Sequence, residues 1–323
     1  MLVSNPVLKN GADPYVSIID GSWCLIQADS VKGKIYLRIS HSSFLSIFSQ
    51  KQELVFDISS IDPEILIANE NIWAPEIYKI DNRYYIYVSL CTDNISDRKI
   101  AVLVSDKING TYTFLDIINT NNWSIDGSIA YINDVMYFLW SGKIAKENHQ
   151  AIFIAKMLDP ITIDSTHGCI STPQHLWEKQ GSDQVFSNLF FDINKDKEDI
   201  ESKNYINEGP QHLYRNNKHY IAYSASGSWC DDYCVGLLEY ISGDPLKNNS
   251  WKKYNQPIIK RNLEIIAPGH CSFTRDEQDR DWVIYHSAKI PGGKWNRQIN
   301  MQRFYSKEDG SLFFPIPTIS IDY

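Results

Sequence analysis

The chain has 323 residues, 43% of them hydrophobic and 22% charged, with a formal net charge of −8. That acidity, with no basic stripe, excludes a nucleic-acid binder, which must displace counterions from phosphates, and no apolar run is long enough to cross a bilayer as a helix. Length alone would admit two ordinary domains, but propellers and barrels run beyond the usual domain size as one unit, and one domain over 1–323 is the expectation.

The first residues, Met1-Leu2-Val3-Ser4-Asn5-Pro6, lack a basic region followed by an apolar core. A cytoplasmic location is therefore the expectation, with secretion the alternative if a leader has been removed. From there one pattern recurs five times: a turn, then a run rich in aromatic and β-branched residues that ends in small polar ones. The turns are Asp20-Gly21 before WCLIQA, Asp81-Asn82 before RYYIYVS, Asn133-Asp134 before VMYFLWSG, Asn216-Asn217 before KHYIAYSAS and Asp279-Arg280-Asp281 before WVIYHSA. The segments ahead of these turns, DPYVSII, PEIYKI, DGSIAYI, GPQHLYR and HCSFTR, also read as strands, giving five hairpins. KIYLRIS, KIAVLVS and AIFIAKM supply outer strands. Successive turns lie about fifty to eighty residues apart, room for four strands per unit, so the pattern predicts an all-β, five-bladed β-propeller.

Each first strand opens with a polar residue: Asp13, Glu76, Asp126, Glu208 and His270. In four of the five units a proline stands within two residues of it (Pro14, Pro75, Pro210, Pro268), as suits a strand start or unpaired edge. If the five openings are equivalent, propeller symmetry brings them to one mouth of the axis. Taken singly, Asp13 before Pro14, Asp126 before Gly127 and Glu208 before Gly209-Pro210 each have an ordinary reading as turn or loop residues. Their recurrence at matching positions is what favours a shared function, because charged groups gathered on an axis need partners or a ligand.

Three carboxyl groups at one mouth, with no serine-histidine or cysteine-histidine arrangement, point to acetal hydrolysis: one acid protonates the leaving oxygen while a carboxylate activates water or attacks the sugar. Carboxyls reaching across a channel from different blades suit the separation of roughly 6.5–9.5 Å that goes with inversion. A third carboxylate beside the acid would raise its pKa by like-charge repulsion. The six cysteines (Cys24, Cys91, Cys169, Cys230, Cys234, Cys271) form no disulfide scaffold or zinc spacing and read as buried thiols. His270 with scattered carboxylates has no transition-metal spacing either. No cofactor is expected, and calcium or sodium on the axis is the one ion left open.

The stretches NPVLKNGADPYV (5–16), IWAPEIYKIDNRYYIY (72–87), SIDGSIAYINDVMYFLWSG (124–142), NEGPQHLYRNNKHYIAYSASG (207–227) and PGHCSFT (268–274) together resemble glycoside hydrolase family 43 over nearly the whole chain. The resemblance implies a five-bladed propeller that hydrolyses arabinofuranosides or xylosides with inversion. Carried over residue by residue, it makes Asp13 the general base, Glu208 the general acid and Asp126 the group that raises and orients the acid. It makes Trp73 an aromatic wall for the terminal sugar, against an ordinary reading as blade core. Arg297 becomes a partner of sugar hydroxyls, against an ordinary reading as a solvated arginine. His270 resembles an axial histidine that holds water or an ion, although Cys271 stands where members often have asparagine or glycine. Glu76 is implied to be structural, accepting backbone or arginine hydrogen bonds.

SASGSWCDDYCVGLLEY (224–240) with DPLKNNSWKK (244–253) is most similar to the α-L-arabinofuranosidase branch. An exo-acting enzyme on arabinan or arabinoxylan fragments is thus implied. β-D-xylosidase or endo-arabinanase of the same family is the alternative, and a non-catalytic carbohydrate-binding propeller is the reading of another class. Pentose-containing oligosaccharides are the expected partners, nucleic acid and membrane are not, and oligomeric state is left open. The charged stretch INKDKEDIESKNYIN (193–207) reads as a solvated loop that rims the pocket.

Overall fold

A computed structural model describes residues 2–62, 71–91, 97–144, 149–181 and 205–323. The charged stretch expected to rim the pocket lies, up to residue 204, outside the described residues. The architecture is a five-bladed β-propeller. Blade one consists of Tyr15–Ile19, Ser22–Asp29, Lys34–Ser40 and Glu53–Asp57. Blade two runs Trp73–Ile80, Arg83–Cys91, Arg98–Ser105 and Thr113–Ile117. Ser124–Ile132, Val135–Lys143, Gln150–Asp159 and Thr162–Ser171 make blade three. Blade four is built from Asn207–Arg215, Lys218–Ala225, Cys234–Tyr240 and Trp251–Lys253. In blade five Ile266–Arg275, Asp281–Ala288 and Arg297–Arg303 pair in order.

The N-terminal segment completes the ring at the outer edge of blade five. Leu8 and Ile299 exchange backbone hydrogen bonds, and Leu2–Ser4 pairs with Ser320–Asp322. Asn5 stands in for a strand residue: its Nδ2 donates to the Met301 carbonyl and its Oδ1 accepts from the Met301 amide, each at 2.9 Å. Leu8 and Asn5 therefore tie the segment that leads into Asp13 to the last blade.

Each expected hairpin is present. Asp20-Gly21, Asn133-Asp134 and Asn216-Asn217 have positive φ at both turn residues, the geometry that matches strand twist in a two-residue hairpin loop. The second strands are nearly continuous in apolar residues because both faces are buried between blades, and the period of two sorts them. In Arg83–Cys91, Ile86, Val88 and Leu90 pack toward blade one, while Tyr85 and Tyr87 pack toward blade three with Phe138 and Trp140. Comparable clusters fill the remaining interfaces, and each fully buried Ile or Leu contributes about 1.5–3 kcal/mol relative to exposure.

The inner strands carry the feature that builds the site. In blades two to five the register slips near the strand start, between Trp73 and Glu76, Ile125 and Ser128, Glu208 and Gln211, and Gly269 and Ser272. Within these bulges Ala74, Asp126, Gly209 and His270 have φ of 47°, 59°, 56° and 46°, and Asp13 of blade one has 47°. The equivalent set is thus Asp13, Ala74, Asp126, Gly209 and His270, which corrects the expectation that Glu76 and Glu208 share the position. Glu208 stands one residue before its bulge and Glu76 two beyond, where strand alternation and the slipped register send them to different depths of the axis. Composition cannot show such a one-residue offset.

The small polar residues that end each second strand explain the bulges. Opposite the residue before the bulge stand Ser89, Ser141, Ser224 and, in blade five, His286. Ser89 Oγ accepts from the Asp126 amide at 2.9 Å and Ser224 Oγ from the His270 amide at 2.7 Å. Ser141 Oγ donates to the Asn207 carbonyl at 2.9 Å, just ahead of Glu208. Each of these serines reaches the following blade, so a backbone group at or beside the bulge is satisfied across the junction.

Candidate active site

Asp13, Asp126, Glu208 and His270 converge at one mouth of the axis. Asp13 ends the closing segment, with 20% of its side chain exposed. Three groups reach its Oδ1: His286 Nδ1 at 3.1 Å, His270 Nδ1 at 3.3 Å and Arg297 Nη1 at 3.5 Å. Burial alone would raise this carboxyl, but the combined pull of His270, His286 and Arg297 outweighs it and holds Asp13 well below the usual carboxylate range. Burial in turn drives both imidazoles toward the neutral form, His286 down to about 3, so Arg297 is the permanent cation of the group.

Glu208 is in a different setting. It is buried, and its Oε1 accepts a hydrogen bond from the Tyr233 hydroxyl at 2.8 Å. Burial pushes its carboxyl up to about 7, against the opposing pull of Tyr233 and Arg297. Asp126 is pushed well above the usual range, first by burial and then by the Glu208 and Asp13 charges. Its Oδ2 accepts from the Gly209 amide at 2.9 Å, so Asp126 grips the backbone next to Glu208. Desolvation thus leads the shift on both carboxyls, ahead of the like-charge repulsion emphasised by the sequence reading. Glycine suits position 209, where φ is 56° and a Cβ would stand 3.2 Å from the His270 ring.

Glu76 lies deeper. Its carboxyl accepts from Tyr78 Oη and Gln211 Nε2, and burial raises it to about 8. Its partners are therefore side chains of blades two, three and four, Ser128 being the third, not the backbone or arginine groups expected. Trp73 is half-buried, with the Arg98 guanidinium 3.2 Å from its ring centroid. Arg297 is not a solvated arginine: besides facing Asp13, its guanidinium lies over the Tyr233 ring, and its Nη2 donates to the Ser228 carbonyl at 3.0 Å. Among the described residues no three His, Cys, Asp or Glu side chains converge as a metal set. His270 Nδ1 faces Asp13 at 3.3 Å. Cys24, Cys169, Cys230, Cys234 and Cys271 are free thiols, all buried except Cys169, which is partly exposed.

The sequence reading missed His286, Tyr233 and Arg98. His286 carried a signal, since it interrupts the serines that end the second strands of blades two to four. Tyr233 and Arg98 lie outside the repeat's inner strand and carried none.

A family model described as glycosyl hydrolases family 43 matches residues 3–312. An extracellular exo-α-(1→5)-L-arabinofuranosidase of Streptomyces avermitilis is 31% identical over 97% of this chain and 63% of that protein. Alpha-L-arabinofuranosidase 43 of Humicola insolens is 30% identical over 78% of this chain and 51% of that protein. The chain thus spans between about half and two thirds of the length of these relatives. Among solved structures, an α-L-arabinofuranosidase from Lactobacillus brevis superposes with a TM-score of 0.80 at 23% identity, covering 98% of this chain and 97% of that one. This last likeness bears on the fold. No helix among the described residues is long and apolar enough to cross a membrane.

Proposed function

From the premise that the chain belongs to glycosyl hydrolase family 43, we propose that it is an inverting, exo-acting α-L-arabinofuranosidase that releases terminal arabinose from arabinan or arabinoxylan fragments. The names borne by its relatives support the sugar. One observation carries the chemistry: two carboxyl groups of one mouth are driven apart in proton affinity, Asp13 held ionised and Glu208 raised to about 7. In this reading Asp13 takes a proton from water as the water attacks the anomeric carbon. Glu208 gives its proton to the glycosidic oxygen, the leaving alcohol departs, and configuration inverts. Asp126 holds Glu208 in place through Gly209, Trp73 walls the sugar, and Arg297 adds hydroxyl contacts to its hold on Asp13.

Assays of chromogenic α-L-arabinofuranoside and β-D-xylopyranoside side by side test the substrate, with faster turnover of the arabinoside expected. A preference for xyloside moves the assignment to β-D-xylosidase, and turnover of neither favours a binding propeller. NMR of the first-formed product should show the inverted anomer, and a retained anomer would overturn the mechanism. Cell fractionation tests whether the protein is extracellular, as the Streptomyces relative's name states of that protein.

A further inference from the structure

Three equivalent positions in the propeller hold serine, Ser89, Ser141 and Ser224, and the fourth holds His286. Ser89 and Ser224 each accept one backbone amide of the next blade's bulge. His286 takes the same place at the junction that closes the ring, its Nδ1 lying 3.2 Å from the Asp13 amide, and in addition lies 3.1 Å from Asp13 Oδ1. Serine is sufficient to hold a bulge, so the imidazole is in excess of what the fold requires. On its other side the ring lies parallel to Tyr233, with centroids 5.6 Å apart and planes inclined by 5°, and Tyr233 donates to Glu208.

We propose that His286 is a positioning residue for Asp13 and that its stack on Tyr233 makes the two one unit, which fixes base and acid relative to each other. This rests on the reading of Asp13 as the general base. Asp13 sits at a φ of 47°, a conformation that a non-glycine residue keeps only where its surroundings over-determine it. His286 supplies that constraint, its ring lying against both the amide and the carboxylate. Nδ1 can serve only one of its two neighbours: bare, it accepts the Asp13 amide at 3.2 Å, and protonated, it donates to Oδ1 at 3.1 Å and gives up that amide. The charge-assisted bond to the ionised carboxylate is the stronger and selects the proton on Nδ1. His286 Nε2 is buried without a partner, so placing the proton on Nδ1 also avoids an unpaired buried N–H. His270, His286 and Arg297 all engage Oδ1. Oδ2 is therefore the oxygen that takes the proton of water.

His286→Ser restores the arrangement of the sibling blades, and its fold should survive with a melting temperature within a few degrees of wild type. On whichever pentoside the wild type cleaves, kcat should fall about 10- to 100-fold with KM changed less than about twofold. His286→Asn, whose amide reaches where Nδ1 stands, should recover most of that loss. Combining His286→Ser with Tyr233→Phe should give less than the product of the single losses. Wild-type kcat in His286→Ser, an Asn variant no better than the Ser variant, or independent losses in the pair would each overturn the proposal. A readout free of turnover separates its failure from failure of the pentoside assignment: 15N spectra of His286 should show the Nδ1–H form in wild type and the Nε2–H form in Asp13→Ala. The same tautomer in both proteins sinks the proposal, whatever the substrate.

Discussion

Two junctions of the same ring, built by the same bulge, treat their carboxyl groups oppositely. Where blade five meets blade one, Asp13 is surrounded by a guanidinium and two imidazoles and stays ionised although burial works against it. Where blade three meets blade four, Asp126 and Glu208 face each other with a tyrosine hydroxyl and a backbone amide for company, and burial drives both toward the protonated form. Burial is the first influence at both junctions. What differs is what offsets it: His270, His286 and Arg297 together act on Asp13, whereas Glu208 has only Tyr233 and the same guanidinium, and that inequality sets the division of labour that acid–base catalysis needs.

Removing either end of that division should have the largest effect. Asp13→Asn and Glu208→Gln should each lower kcat by about 10²–10⁴-fold with the fold intact, measured as turnover on the better pentoside beside a thermal melt. Wild-type turnover in either variant would remove the assigned role. Arg297→Met tests the comparison itself. Without the cation the Asp13 carboxyl rises, and so does that of Glu208, because Arg297 lowers both. Both limbs of the pH profile of kcat/KM should move to higher pH. A profile that falls in height without moving would mean that Arg297 acts on the sugar alone. In the wild type the alkaline limb should fall through about 7, as Glu208 loses its proton, while the acid limb, set by Asp13, lies well below the usual carboxylate range. An alkaline limb beyond about 9 would show that Glu208 is not the acid.

The same contrast marks what the sequence could and could not convey. The hairpins were legible because Asp20-Gly21 or Asn216-Asn217 between aromatic runs is a local signal, and the ring followed from repetition. Outer strands such as Glu53–Asp57 and Thr113–Ile117 were missed, since they are partly exposed and carry no unbroken apolar run. Asp13 and Asp126 were found at equivalent bulges, whereas Glu76 and Glu208 were aligned one or two residues out of place, a difference of register that pairing alone decides. Tyr233 could not be foreseen, because its contact with Glu208 crosses from a loop to an inner strand within blade four.

The smallest expected effect probes the bulge. At Gly209 the φ of 56° strains any side chain, and a Cβ would press on the His270 ring at 3.2 Å. Gly209→Ala should therefore cost about 1–3 kcal/mol of stability, read by denaturant titration. Ala74, at the equivalent bulge of blade two, already carries a Cβ at a φ of 47°. Backbone conformation alone is thus tolerable there, and the loss at position 209 should come mainly from contact with His270. A displaced His270 no longer lies 3.3 Å from Asp13 Oδ1, so kcat should fall along with stability. Pairing Gly209→Ala with His270→Ala separates the causes: if contact dominates, the double variant is less destabilised than the sum of the singles. Simple additivity would place the strain in the backbone and leave the bulge of blade four mechanically independent of the ring-closing junction.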